Sequence, residues 1–401
     1  MITGLTLGAL LSQIRGYRLG GVMVLPILAI YTFRELLSPV IFILATVAAW
    51  ISLWAFQEYT LNYGRRLFLS ALITGVVVTI FTGYALSKLF PGQFLFETTE
   101  VVASIFPGIT AFNLMRVNPE ERRVELMLIV CGYLALVIVG LLSLWALADL
   151  AIPTPPLLTL PTSDITTWIG IEPRGGAYPV VIPNWIILIL LPVAVIIYEG
   201  FRQRYHHRLV GIIIIPTLGL FSVQFAPTIV IYAIGATTVF YIISYIHWMT
   251  LIYGRVLLTI SIFLGTVYSL ITAVFVSQSV PGATLFFTGL FVGIGAYNLN
   301  RVSPKTRVAH IRIDAGLFVM GYIPLFMFID IPVTGLLHDG HVLYIIVGVM
   351  IIALAATEIY RLEQSTPDVA AFASGSAFAH ISPDRIESHD SPLVADTEED
   401  T

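Results

Sequence analysis

Arg18-Leu19-Gly20-Gly21-Val22-Met23-Val24-Leu25-Pro26 returns 190 residues later as Arg208-Leu209-Val210-Gly211-Ile212-Ile213-Ile214-Ile215-Pro216. At the same offset Tyr63-Gly64-Arg65 meets Tyr253-Gly254-Arg255, Gly75 meets Gly265, and Pro91-Gly92 meets Pro281-Gly282. Five residues then drop out. Beyond them Phe106-Pro107-Gly108-Ile109-Thr110-Ala111-Phe112-Asn113-Leu114-Met115-Arg116 aligns with Phe291-Val292-Gly293-Ile294-Gly295-Ala296-Tyr297-Asn298-Leu299-Asn300-Arg301. Two apolar segments share composition by chance, but chance does not reproduce the order of their polar residues. The chain is read as a tandem duplication, and a repeat missed at this point misassigns the whole fold.

The material being repeated is apolar. Of 401 residues 57% are hydrophobic and 11% charged, too few charges to coat a soluble surface. The mean hydropathy is +0.91. Runs such as Leu67 to Leu86, Val124 to Ala148 and Val256 to Val280 reach the ~20 residues that a bilayer-spanning helix needs. They are apolar on every face, whereas barrel strands alternate. The fold class expected is an all-α polytopic membrane protein. Cys131, the one cysteine, has no internal disulfide partner and reads as a small buried hydrophobe. No basic residue precedes the first apolar stretch, so a cleavable signal peptide is not expected.

Each copy holds six apolar segments, at 1–14, 20–33, 39–57, 67–87, 99–115 and 124–148, and at 184–199, 209–222, 227–250, 256–279, 285–300 and 308–330. The domains expected are a first membrane repeat 1–148, a Pro/Thr-rich extracellular linker 149–183, a second repeat 184–330, an extra transmembrane helix within 331–362, and an acidic tail 363–401. That tail carries nine acids and one Arg and is expected to be disordered. If the segments alternate across the bilayer, all 20 Lys and Arg except Arg34, Lys88 and Arg174 fall on one side. Basic residues collect in the cytoplasm, so the N-terminus is expected outside and the tail inside. Six segments per copy insert both copies the same way up, as parallel repeats about an axis along the membrane normal. Segments 20–33, 99–115 and 209–222 are short or interrupted. Pro26, Pro107, Gly108 and Pro216 are expected to break helices there, which is tolerable only where protein or water covers the freed backbone.

Intramembrane charges mark pathways. Here Lys88, Glu100, Glu125, Glu199, His247, Asp314, Asp330 and Glu358 all lie toward segment ends, so no proton relay is expected. Two constellations stand out. Tyr63, Gly64, Arg65 and Arg66, with Tyr253, Gly254 and Arg255, occupy equivalent inner helix ends. They read either as interfacial anchors or, because they recur, as a contact for an anionic polymer or a partner. Asn113 with Arg116, and Asn298 with Arg301, share a helix face at a spacing of three. They serve as helix glue or as an anion-binding rim. His206-His207 and the His338–His341 stretch do not supply a full metal-ligand set. No Walker loop is present, and no catalytic residue, metal, cofactor or nucleic-acid partner is expected.

Each copy resembles the small membrane subunit of bacterial poly-gamma-glutamate synthesis, the PgsC/CapC family. The resemblance lies in Gly20-Gly21 to Pro26, in Tyr63 to Arg66, and in Phe106 to Asn113 followed by Arg116. It covers 1–148 and again 184–330. It implies a non-catalytic subunit of a synthesis and export complex. A separate Mur-ligase-like ATP-dependent amide ligase would make the polymer, alongside other synthase and export subunits in the lipid bilayer. The second copy departs from the pattern at Val292 and Val256, so it is expected to be the more structural one, with Arg65 and Arg116 outweighing Arg255. A transporter or flippase for another anionic solute is the alternative.

Overall fold

The computed structural model describes residues 2–14, 20–21, 23–60, 63–89, 104–150, 168, 182–205, 209, 211–276, 280–338 and 342–365. Among these residues there are thirteen helices and no strand. The first repeat holds α1 (Ile2–Ile14), α2 (Val24–Arg34), α3 (Ser38–Thr60), α4 (Gly64–Leu89), α5 (Ile105–Met115) and α6 (Pro119–Asp149). The second holds α7 (Asn184–Tyr205), α8 (Ile214–Gln224), α9 (Pro227–Thr250), α10 (Arg255–Val276), α11 (Gly282–Asn300) and α12 (Arg307–Phe328), and α13 (Val342–Ser365) follows. Every apolar segment of the sequence has its helix. Nine helices among the described residues are long and apolar enough to cross a bilayer.

The duplication is visible in what each helix buries. α3 buries Ile41, Ala45, Ala49 and Leu53, and α9 buries Ile231, Gly235, Val239 and Ile243 at the matching positions. One residue in four faces protein and the rest face outward, as on a helix bathed in lipid. α4 and α10 bury wider stripes, again in register: Leu67, Ala71, Leu72 and Gly75 against Leu257, Ser261, Ile262 and Gly265. Lipid chains are as apolar as Leu, so helix association in a membrane rests on close packing of small residues. Gly75 lies against Gly108 in the first copy, and Gly265 lies against Gly289 and Gly293 in the second.

The two copies embrace reciprocally. α1 of the first packs on α10 of the second, and α7 of the second packs on α4 of the first. Those pairs are the first and fourth helices of each repeat, exchanged about a pseudo-two-fold. One apolar cluster spans this boundary with Leu72, Val76 and Ile80 of α4 against Ile187, Leu191 and Val195 of α7. A second joins Leu5, Ile27 and Tyr31 to Phe221, Ile262 and Phe287. α13 packs on α12 and has no counterpart.

Ion pairs at the helix ends put both copies the same way up. Arg65 at the start of α4 meets Glu199 near the end of α7 at 2.9 Å. Arg204 and Tyr205 at the end of α7 both reach Glu363 near the end of α13. Arg312 in the second turn of α12 meets Glu358. All of these ends lie on one face, the basic side of the molecule.

Several expectations need correction. Pro26, Pro107 and Pro216 interrupt nothing: each is the third residue of an 11-residue helix, α2, α5 and α8. The first turn of a helix has N–H groups without intrahelical partners, so proline fits there. Gly108 is likewise a packing contact inside α5, since a Cβ there would stand 1.9 Å from the Ala71 carbonyl oxygen. Cys131 is exposed, because α6 turns nearly all of its surface outward. The tail boundary moves from 363 to 366: Glu363 lies in α13 and is tied to α7. The linker 151–181 apart from Trp168, the tail 366–401, and Arg15, Arg18, Arg174 and Arg208 of the charge count lie outside the described residues. So do His206, His207 and His341.

The short helices are short in fact. At 1.5 Å per residue, 11 residues cover about 16 Å, roughly half of a ~30 Å hydrocarbon core. α8 is buried along almost its whole length, from Ile214 to Val223. Its C-terminal backbone groups are met by the segment after α12. Ala226 N donates to Thr334 O at 2.9 Å, Leu336 N to Ser222 O at 2.9 Å, and Thr334 Oγ1 to Gln224 O at 2.7 Å. That arrangement satisfies the demand that broken helices at membrane depth be covered by protein.

Candidate functional site

A cavity of about 750 Å³ lies between the two copies on the basic side. Both repeats build it. The first contributes Arg65, Phe68 and Leu72 from α4 and Ile109 from α5; the second contributes Tyr198 and Arg202 from α7 and Asn298 and Arg301 from α11. Met23 and Ile213, equivalent residues just before α2 and α8, both line it. The N-terminal ends of both short helices therefore open onto the cavity, and such ends carry partial positive charge. The cavity supplies on one side the membrane depth that α8 lacks.

Its mouth is a charged cluster. Glu199, 6% exposed, accepts from Arg65 Nε at 2.9 Å, Arg202 Nε at 3.2 Å, Arg202 Nη2 at 3.2 Å and Gln203 Nε2 at 3.2 Å. One carboxylate thus holds two guanidinium groups, one from each copy, beside the opening. Arg301 of α11's C-terminal end also lines the cavity, its guanidinium 5.6 Å over the Tyr297 ring. Three arginines against one carboxylate leave the rim cationic.

Below the rim the walls are apolar: Leu72, Ile109, Ile214, Leu290, Phe291 and Ile294. Phe287 is the lining residue of α11 farthest from Arg301. The span from Arg301 to Phe287 is about 21 Å of helix. Phe287 is met by Tyr31 at 6.0 Å and by Phe221 at 6.4 Å between ring centroids. Tyr31 and Phe221 are equivalent residues of the two copies, so this aromatic floor sits where the copies meet.

The sequence-derived candidates divide. Arg65, Asn298 and Arg301 line the cavity. Tyr63, Arg66, Tyr253 and Arg255 are exposed on the basic side and do not line it. Gly64 and Gly254 both form left-handed turns, with φ of 63° and 70° and open space around them, a conformation that glycine adopts without strain. Asn113 donates to Gly20 O at 2.9 Å, gluing α5 to the approach to α2. Arg116 stacks at 5.4 Å over Phe112 outside the cavity. The second copy, expected to be the more structural, supplies Arg202, Asn298 and Arg301 to the site.

Reading the sequence missed Glu199, Arg202 and Tyr198. The signal was present: Glu199 is the one acid in the apolar run 184–199, and Arg202 follows one turn later. It also missed Arg122 and Arg307, which occupy equivalent positions. Arg122 donates to Leu114 O at 3.2 Å and Val117 O at 3.3 Å. Arg307 donates to Leu299 O at 3.3 Å and Val302 O at 3.2 Å. Each closes the carbonyl end of the helix before it. Of the ionisable groups placed toward segment ends, Glu125, Glu199, Asp314 and Glu358 are buried. Among the described residues no group of three His, Cys, Asp or Glu is placed to hold a metal ion. His338 Nδ1 is 2.8 Å from Ile331 O.

The fold and this site define a class: a duplicated, all-helical, multi-pass membrane protein with an arginine-rimmed cavity shared by its two halves. The sequence model of the capsule-biosynthesis CapC family matches residues 3–123 and, a second time, residues 193–308. The chain belongs to that family, as a tandem pair of its unit. No curated protein and no solved structure matches it. Family membership assigns the chain to capsule biosynthesis at the membrane.

Proposed function

We propose that this chain is the non-catalytic membrane subunit of a poly-gamma-glutamate synthesis and export complex, working beside a Mur-ligase-like ATP-dependent amide ligase. The basic side faces the cytoplasm, following the distribution of Lys and Arg, and the C-terminal tail lies there too. The observation that carries the proposal is the rim of Arg65, Arg202 and Arg301, drawn from both copies around one opening. Guanidinium groups recognise carboxylates through paired, charge-assisted hydrogen bonds. A cationic mouth also concentrates a polyanion before contact. The family match supports the capsule assignment, and the duplication supports a single shared mouth.

Gene deletion is expected to abolish γ-linked glutamate polymer, and unchanged polymer would remove the proposal. Arg65→Ala and Arg301→Ala are expected to lower polymer output more than Arg116→Ala and Arg255→Ala. Equal effects at all four would detach the cavity from the function. The apolar walls favour a second reading, a flippase for another anionic solute. Movement of such a solute by the purified chain in liposomes, without ligase or polymer, would establish it.

A further inference from the structure

We infer that the chamber beneath the rim binds an anionic amphiphile, with its headgroup at Arg65, Arg202 and Arg301 and one apolar chain between α4, α5 and α11. The inference deepens the proposed function and rests on the same rim, but it gives the interior to a different chemistry from the polymer. A polyglutamate strand carries a carboxylate on every residue. Each carboxylate drawn past the rim and the two helix ends would be desolvated against Leu72, Ile109, Ile294, Leu290 and Phe291, side chains that offer no hydrogen bond to offset the loss. An apolar chain meets no such penalty. The polymer is therefore held at the mouth, and a hydrocarbon chain fills what lies below.

Size agrees. The chamber runs about 21 Å along α11, and a lipid chain in one leaflet spans about half of a ~30 Å core. A volume of about 750 Å³ lies within the range of small-molecule sites. The floor of Tyr31, Phe221 and Phe287 ends the chamber and sets a limit on chain length.

Tyr198 supplies an independent sign of a ligand. It is 4% exposed and lines the chamber, and its hydroxyl has no hydrogen-bond partner among the described residues. A buried phenol hydroxyl normally has a partner. Tyr198 lies four residues before Arg202 on α7, so the two share a helix face about 5–6 Å apart. A headgroup oxygen that meets Arg202 stands within reach of the Tyr198 hydroxyl one turn deeper. This polar step at the top of an apolar shaft matches an amphiphile, with oxygen acceptors at one end only.

The test is native mass spectrometry of the full chain released from phosphatidylcholine nanodiscs, with hexadecyl phosphate, uncharged hexadecanol and tail-free tetra-γ-glutamate as probes. One hexadecyl phosphate per chain is expected, with hexadecanol weaker by about tenfold or more, as the loss of a hydrogen bond to a charged group predicts, and the tetrapeptide weaker by about tenfold or more because it buries no apolar chain. Arg301→Gln and the isosteric Tyr198→Phe are each expected to weaken hexadecyl phosphate severalfold, and Ile294→Trp to exclude it by filling the chamber. If both Arg301→Gln and Tyr198→Phe bind as the parent does, or if the tetrapeptide matches hexadecyl phosphate and displaces it, the inference is overturned. Repeating the release from nanodiscs containing phosphatidylglycerol separates the sources. One retained phosphatidylglycerol identifies a bilayer lipid, and hexadecyl phosphate bound without it identifies a free single-chain amphiphile. Absent amphiphile binding with capsule still dependent on the chain would sink this inference alone. Binding with capsule independent of the chain would sink the proposed function alone.

Discussion

Gly108 and Gly293 are equivalent residues at which two helix backbones touch. A Cβ on Gly108 would stand 1.9 Å from Ala71 O, and one on Gly293 would stand 2.6 Å from Ser261 O. Backbone on the facing helix cannot swing aside as a flexible side chain can. Gly108→Ala and Gly293→Ala are therefore expected to destabilise the protein by about 1–3 kcal/mol each, read as a lower melting temperature in detergent. Gly200 is the internal control. It lies inside α7 with nothing within 4 Å of a built Cβ, so Gly200→Ala is expected to be neutral or to stabilise by up to ~1 kcal/mol through helix propensity. A drop of equal size at all three positions would show that helix contact is not what these glycines provide. The same logic explains why Gly75-to-Gly265 recurrence was informative in the sequence: both positions carry close approaches, and small residues drive membrane-helix association.

At the scale of elements, the buried helices α5 and α11 depend on how their ends are closed. α5 and α11 stop at Met115 and Asn300, leaving carbonyls that no helical N–H can reach. Arg122 and Arg307 supply donors to them from the next helix. Arg122→Ala and Arg307→Ala are expected to cost about 1.5–3 kcal/mol each, the range for hydrogen bonds made by charged groups, and to raise amide exchange at 114–118 and 299–303 specifically. Global exchange with no local excess would refute a capping role. This role shows the limit of the sequence as evidence. The helices themselves were legible, because an apolar run of fixed length has few alternatives in lipid, and α2 and α8 were visibly too short. Arg122 and Arg307 read only as inner-side charges, because their partners are carbonyls that carry no residue identity. Pro26, Pro107 and Pro216 misled for a related reason: proline at a helix start and proline at a helix break look alike until the first turn is located. The cavity was half legible. Arg65 and Arg301 were recognised through their repeat partners, whereas Glu199 and Tyr198 have Ala9 and Gly8 at the matching offset and so gave no repeat signal.

The whole molecule depends on the two copies sharing one orientation, and the ion pairs bear on that directly. Arg65 of the first copy sits on Glu199 of the second, and Glu199 also holds Arg202. Inverting one copy would part Arg65 from Glu199 and carry Arg255 and Arg301 to the opposite face. Each arginine moved through the hydrocarbon centre costs roughly 2.5–3.5 kcal/mol on insertion scales and more by other measures, so the orientation is firmly set. The reciprocal packing of α1 on α10 and α7 on α4 would be lost as well. In a Cys131→Ser background, Arg65→Cys and Arg255→Cys are therefore expected to react with a membrane-impermeant maleimide only when it is supplied from the cytoplasm. Trp168→Cys, in the connection between the copies, is expected to react only from outside. Trp168 and Arg255 are both exposed, so access does not limit either face at those two positions. Labelling of the positions 65 and 255 from opposite faces would invert one repeat, break the shared mouth, and leave the cavity between the copies without its two-sided rim. Labelling of both from outside would keep the cavity intact and turn its mouth away from the compartment in which the proposed ATP-dependent ligase would work.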